Sequence, residues 1–300
     1  MILALVLAVA APALRPHTEG TIDPKHRLVE GVASDGGTIW ASSVLDRSII
    51  ACRRTCVVIA ELPAGLHPLG IAWDTQRKWL WVAADCPKLP GVTPCETGAV
   101  LALEPSGRVR KRLSPTLGSF HPGDISASAG KVFVSDSQNG AVYALTPNGR
   151  ALSAIVPPGA GKSAQGSALD ASGKRLIVAD YSEGIASIDL ATGARTLLPR
   201  QDGKPLRGID GVARCGDRYF GVYNGTAPGR LISFTVSASG IQFEEVVEGL
   251  SFPDPTQIAI AGGQLMIIGD AGWEQAAKPA TKVREPARVL AFPLSAICKR

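Results

Sequence analysis

Lys131-Val132-Phe133-Val134-Ser135-Asp136, a short turn, Ala141-Val142-Tyr143-Ala144-Leu145, the turn Thr146-Pro147-Asn148-Gly149, then Ala151-Leu152-Ser153-Ala154-Ile155: this stretch decides the fold. Asn-Gly between two alternating apolar runs is the strongest short-range signal for a β-hairpin. Just upstream, Gly123-Asp124-Ile125-Ser126 opens a further strand, so about forty residues carry four strands in succession. The opening phrase recurs as Glu30-Gly31-Val32-Ala33, Leu69-Gly70-Ile71-Ala72, Gln165-Gly166-Ser167-Ala168, Asp210-Gly211-Val212-Ala213 and Thr256-Gln257-Ile258-Ala259. The six starts lie 39, 54, 42, 45 and 46 residues apart, the length of one four-stranded propeller blade. The expected fold is therefore all-β: a six-bladed β-propeller. Blade six runs out of chain before a fourth strand, so residues from about His17 to His26 are the natural donor. Pairing the N- and C-terminal strands would close the ring and remove its open edges.

Composition agrees. The 300 residues include 33 Gly and 22 Pro, and aromatics make up only 5 %, so Val, Ile, Leu and Ala must build the core. The formal charge of +5 is diffuse. Its densest cluster, Arg108, Arg110, Lys111 and Arg112 beside Glu104, reads as a solvated edge strand. Without interleaved aromatics or a second basic cluster, it does not read as a nucleic-acid surface. Residues 2–13 are apolar, too short to span a bilayer, and end in small-x-small cleavage patterns. We therefore read 1–13 as a secretory signal, 14–300 as one propeller domain, and the product as exported, with no membrane span after cleavage. Six cysteines fit an oxidising compartment. Cys52/Cys56 flank a tight turn and Cys86/Cys95 bracket a Pro-rich excursion, while Cys215 and Cys298 are left to pair or stay free. Their spacings argue against a zinc site.

Features shared by all copies are architecture. Asp85, Asp136, Asp180, Asn224 and Asp270 each end a second strand, where Asp and Asn cap turns through side-chain hydrogen bonds. Function should lie where the copies differ. The first slot holds Glu30, Leu69, Gly123, Gln165, Asp210 and Thr256. Glu30, Gln165 and Asp210 are oxygen donors of a type that suits Ca2+, Mg2+ or Mn2+, completed by water or substrate.

On these residues the chain resembles the SMP-30/gluconolactonase family of six-bladed propellers. The likeness covers nearly everything after the leader. In that family a Glu opening blade one, an Asn before blade four and an Asp before blade five hold one divalent cation. The resemblance assigns those roles to Glu30 in Val29-Glu30-Gly31, Gln165 in Ala164-Gln165-Gly166 and Asp210 in Ile209-Asp210-Gly211. It implies one divalent ion (Ca2+, Mg2+, Mn2+ or Zn2+), a small-molecule lactone or related cyclic ester as substrate, and Asp210 as the catalytic group that activates water. Two positions differ. Gln165 is a methylene longer than Asn, and the family's Asn before blade three falls at Pro122-Gly123, where Asp124 or His121 could substitute. His121 is a candidate catalytic proton shuttle, and His67, Asp124 and Gln257 are candidate substrate-binding residues on the same rim. Two alternatives share the blade phrase: a non-catalytic NHL-like propeller binding a partner or small ligand, and a lyase or isomerase on the same scaffold.

Overall fold

The structure is a computed structural model describing residues 14–298, apart from 117, 238–239, 248 and 279–284. The proposed leader, residues 1–13, thus lies outside the described residues.

Strand β1 (His17–Ile22) precedes blade one, which is β2 (Val29–Ser34), β3 (Ile39–Ser43), β4 (Ser48–Cys52) and β5 (Cys56–Glu61). Blade two is β6 (His67–Asp74), β7 (Trp79–Asp85), β8 (Ala99–Leu103) and β9 (Val109–Leu113). Blade three is β10 (Pro122–Ser128), β11 (Lys131–Asp136), β12 (Val142–Leu145) and β13 (Leu152–Val156). Blade four is β14 (Ala164–Leu169), β15 (Arg175–Asp180), β16 (Gly184–Asp189) and β17 (Arg195–Leu197). Blade five is β18 (Ile209–Cys215), β19 (Arg218–Tyr223), β20 (Arg230–Ser237) and β21 (Gly240–Glu245). Blade six has β22 (Ile258–Ala261), β23 (Gln264–Ile268), a one-turn helix α1 (Trp273–Ala276) and β24 (Ala287–Pro293), followed by α2 (Leu294–Ile297).

Every sheet has four antiparallel strands, and blade six is ordered β1-β24-β23-β22. The expected closure is therefore present: His17 faces Ala291 and Ile22 faces Ala287. The hydrophobic core is distributed rather than central, because each twisted sheet buries both faces against its neighbours. One apolar cluster fills each gap between adjacent blades. Ile22, Val29, Met266 and Val289 join blades six and one, and Trp40 stacks on Trp73 at 4.8 Å between blades one and two. Val, Ile, Leu and Ala supply most of the rest, each large aliphatic side chain contributing roughly 1.5–3 kcal/mol on full burial. The basic cluster falls on β9, the outer strand of blade two, and on Arg108 just before it; Arg108 and Arg110 both bond Glu104.

All six cysteines pair: Cys52–Cys56, Cys86–Cys95 and Cys215–Cys298. The third links β18 to the residue after α2 across a sequence separation of 83. Loop-closure entropy makes it the most stabilising of the three, at about 4 kcal/mol. The double variant Cys215→Ser/Cys298→Ser should lose that amount in urea unfolding, and a loss below about 1 kcal/mol would refute the assignment. Among the described residues, no helix is long and apolar enough to cross a membrane.

Candidate active site at the axial mouth

The repeated phrase acquires its meaning from the pairing of first and second strands. In blade one the ladder runs Val29↔Ser43 and resumes at Val32↔Ala41, so Glu30 and Gly31 bulge out of it. Blades two, four and five slip in the same way at Leu69-Gly70, Gln165-Gly166 and Asp210-Gly211. A bulge re-aims side chains and bends its strand, and here it turns the first-slot residue toward one end of the axis. The second slot is Gly because neighbouring blades touch there. A Cβ on Gly31 would lie 2.5 Å from the Leu69 carbonyl oxygen, and one on Gly166 would lie 2.3 Å from the Val212 nitrogen.

Two blades break this rule, and they sit opposite each other. Blade three carries Asp124 in the second slot and blade six carries Gln257. The Gln257 Nε2 donates to Asp124 Oδ1 across the hub. The Gln257 Oε1 accepts from the backbone N–H groups of Val32 and Ile71, both at 3.1 Å. Four glycines thus make room for one transaxial bridge. Burial pushes the Asp124 carboxyl up to about 8, with the charge of Asp210 adding to the effect. The unfolded chain releases this proton near pH 4, so between about pH 4 and 8 the fold binds it more tightly and loses stability as pH rises. Asp124→Asn should remove the Asp124 share of that slope, leaving the shares of Glu30 and Asp210. Thermal melts from pH 4 to pH 9 should show the variant gaining on the parent protein as pH rises, and parallel curves would overturn the reading.

Beyond the bridge, on the side of the first-slot residues, opens a cavity of about 420 Å³ lined by Glu30, Gln165, Asp210, Asn224, Tyr181, Trp273 and Asp254, among others. The three sequence-predicted ligands therefore line one cavity. Trp273 Nε1 donates to Glu30 Oε2. Asn224 Nδ2 donates to Asp210 Oδ2 at 2.9 Å. Gln165 Nε2 donates to Ser163 Oγ at 3.3 Å, leaving its carbonyl uncommitted to that contact. Asp254 Oδ2 accepts from the Gly272 and Trp273 N–H groups at 2.8 and 2.6 Å, seating the turn that carries Trp273 over Glu30. Burial, and after it the charge of Asp210, hold the Glu30 carboxyl well above its ordinary range. Burial also pushes Asp210 up to about 7, with Asp254 adding and the Asn224 hydrogen bond opposing.

Other predicted residues lie elsewhere. His67 is buried, with Nδ1 on the Val44 carbonyl at 2.7 Å, and does not line the mouth. His121 is not in the lining either. Its Nδ1 lies 3.0 Å from Asp85 Oδ1, a carboxylate that does face the cavity. Asp124 and Gln257 form the hub bridge and line a second cavity, of about 410 Å³, at the opposite end of the channel. The capping role holds for Asp136, which accepts from the backbone of Gln138, Asn139 and His121. It holds equally for Asp180, which accepts from Lys162, Ser163, Ser182 and Glu183. Sequence reasoning missed Asn224 and Tyr181 as mouth residues. Only Asn224 carried a signal, as the single amide in a column of aspartates.

The donors fit a hard divalent ion. Two half-buried carboxylates that repel each other would be relieved by a cation between them, and the Asn224 Oδ1 is buried with no hydrogen-bond partner, an expensive state for a carbonyl. Among the described residues, the group of three His, Cys, Asp or Glu side chains whose ligand atoms cluster within 4.8 Å is Asp85, Cys86 and Cys95. Its two sulfurs are bonded to each other, so it offers no thiolates. A cation at the mouth would rest on carboxylates plus amide oxygens.

No protein-family model and no curated protein matches this sequence. Among solved structures, it is similar to a gluconolactonase from Xanthomonas campestris: 16 % identity, TM-score 0.62, covering 95 % of this chain and 99 % of that one. It is also similar to the PQQ-bound aldose sugar dehydrogenase from Streptomyces coelicolor, at 14 % identity and TM-score 0.60, covering 94 % and 99 %. A chain of a nidogen/laminin complex matches at 16 % identity and TM-score 0.61, covering 79 % and 86 %. Likeness at these identities shows the six-bladed propeller that the chain shares with gluconolactonase structures, and nothing of its chemistry.

Proposed function

We propose that the chain is an exported, divalent-metal-dependent hydrolase of a lactone or related cyclic ester. One observation carries the reading: Glu30, Gln165 and Asp210, from the equivalent bulge of three different blades, line one cavity. The gluconolactonase architecture and three disulfides support the lactone and the export respectively.

Glu30, Gln165 and Asp210 would hold a divalent ion, which would supply Lewis acidity at the ester carbonyl. The chain's own residues do the rest. Asp210, positioned through Oδ2 by Asn224, accepts the proton of the attacking water as oxygen adds to the carbonyl carbon. The ring C–O bond then breaks, and the proton passes to the departing oxygen to give the hydroxy acid. Trp273, held by Asp254 and bonded to Glu30, orients that carboxylate and covers one side of the cavity. The test is hydrolysis of a panel of uncharged lactones by the purified protein, before and after chelation, with Asp210→Asn alongside. Full activity of the chelated protein and of the variant would sink the proposal and favour a binding propeller.

A further inference from the structure

Asn224 occupies the position where blades three and four place an aspartate, yet it does the opposite job. Asp136 and Asp180 spend their oxygens on backbone N–H groups of the following turn. Asn224 gives its Nδ2 to Asp210 Oδ2 and to the Pro255 carbonyl, both at 2.9 Å. The Pro255 carbonyl can only accept, so the amide nitrogen must face these partners, and this fixes the direction of the oxygen. The Oδ1 on the other side is buried and has no partner, on a residue that lines the mouth with Glu30, Gln165 and Asp210.

We infer that Asn224 Oδ1 is a further oxygen ligand of the divalent cation, an inference that rests on the metal reading of the mouth proposed above. It accounts for two facts together. The first slot of blade three is Gly123, which has no side-chain oxygen, and blade five supplies one more than its first slot alone would. It also explains the choice of amide over carboxylate. An aspartate here would keep an oxygen for the ion, its charge beside Asp210 being neutralised once the cation is bound, whereas Asn also holds Asp210 with its nitrogen before the cation arrives.

The test is Ca2+ titration of the full chain by calorimetry, with the Ca2+-induced rise in melting temperature as a second readout. Asn224→Ala should weaken Ca2+ binding at least tenfold and shrink the thermal shift accordingly, while Asn224→Asp, which keeps an oxygen there, should bind within about threefold of the parent protein. If Asn224→Ala binds within twofold, the ligand assignment is wrong. If Glu30→Gln and Asp210→Asn also leave binding untouched, the metal reading itself has failed, which is a different result. Should Asn224→Ala not fold, crystals of the unaltered protein soaked in Mn2+ decide the matter by anomalous scattering. An Oδ1–metal separation of about 2.4 Å or less supports the assignment, and one beyond about 3.5 Å overturns it.

Discussion

Asp210→Asn should leave the propeller folded and, on the proposed reaction, lower kcat/KM for lactone hydrolysis by about three orders of magnitude, within the 10²–10⁴ range that a positioned general base contributes. The substitution is nearly isosteric. The amide oxygen at residue 210 can still accept from Asn224 Nδ2, so the contact that positions the side chain survives. What disappears is a proton acceptor and a negative charge. In the absence of a cation, that charge is also a liability, because burial and the charge of Asp254 raise the cost of ionising Asp210, and Asp210 in turn raises that of Glu30. The variant should therefore melt higher than the parent protein in the presence of a chelator, while being nearly inactive in the presence of metal. Loss of activity with gain of stability is the mark of a site residue whose strain serves function. Activity within tenfold of the parent would show that Asp210 is not the base.

Gly166→Ala should be the most damaging methyl among the four hub glycines, costing about 3 kcal/mol or more in urea unfolding. The added Cβ would meet the Val212 nitrogen at 2.3 Å, the Asp210 carbonyl oxygen at 2.5 Å and the Gly211 carbonyl carbon at 2.7 Å. All three are backbone atoms, so no side-chain rotation can relieve the clash. Blades four and five must move apart at the hub, taking Gln165 and Asp210 with them. Ca2+ affinity should fall along with stability. Gly173→Ala in the same blade tests specificity: a Cβ there meets nothing within 4 Å, and its only penalty is the φ of +68°. Equal effects from the two would show that close approach at the hub is not what the second-slot glycine provides.

The ring, its blade boundaries and its closure were legible because a period-two apolar pattern punctuated by turns was repeated six times. The cysteine pairs were legible from proximity or remainder. Gln165 and Asp210 were found because the repeat supplies a register: a residue that differs within a fixed slot stands out against its five counterparts. The same register misdirected the reading at the second slot. Asp124 and Gln257 were expected at the rim, yet they reach inward and meet across the axis, because second-slot atoms face the hub rather than the mouth. Nothing in one sequence says which opposite blades will fill the space left by four glycines. His67 reads as a rim residue from its place before blade two, but the deciding partner, the carbonyl of Val44, comes from the preceding blade and has no local signature. Asn224 looked like one more turn residue. Its distinct role emerged only when its nitrogen was seen facing Asp210 and Pro255.

The strand borrowed by blade six has a bearing on biogenesis. β1 is the first described strand to leave the ribosome, yet its hydrogen-bonding partner β24 is nearly the last. Until translation is almost complete, five sheets can assemble while the sixth lacks its outer edge and the annulus stays unlatched. Tethering the amino end to a bulky cargo, or trimming it past Ile22, should therefore damage late assembly far more than an equal insult to any surface turn.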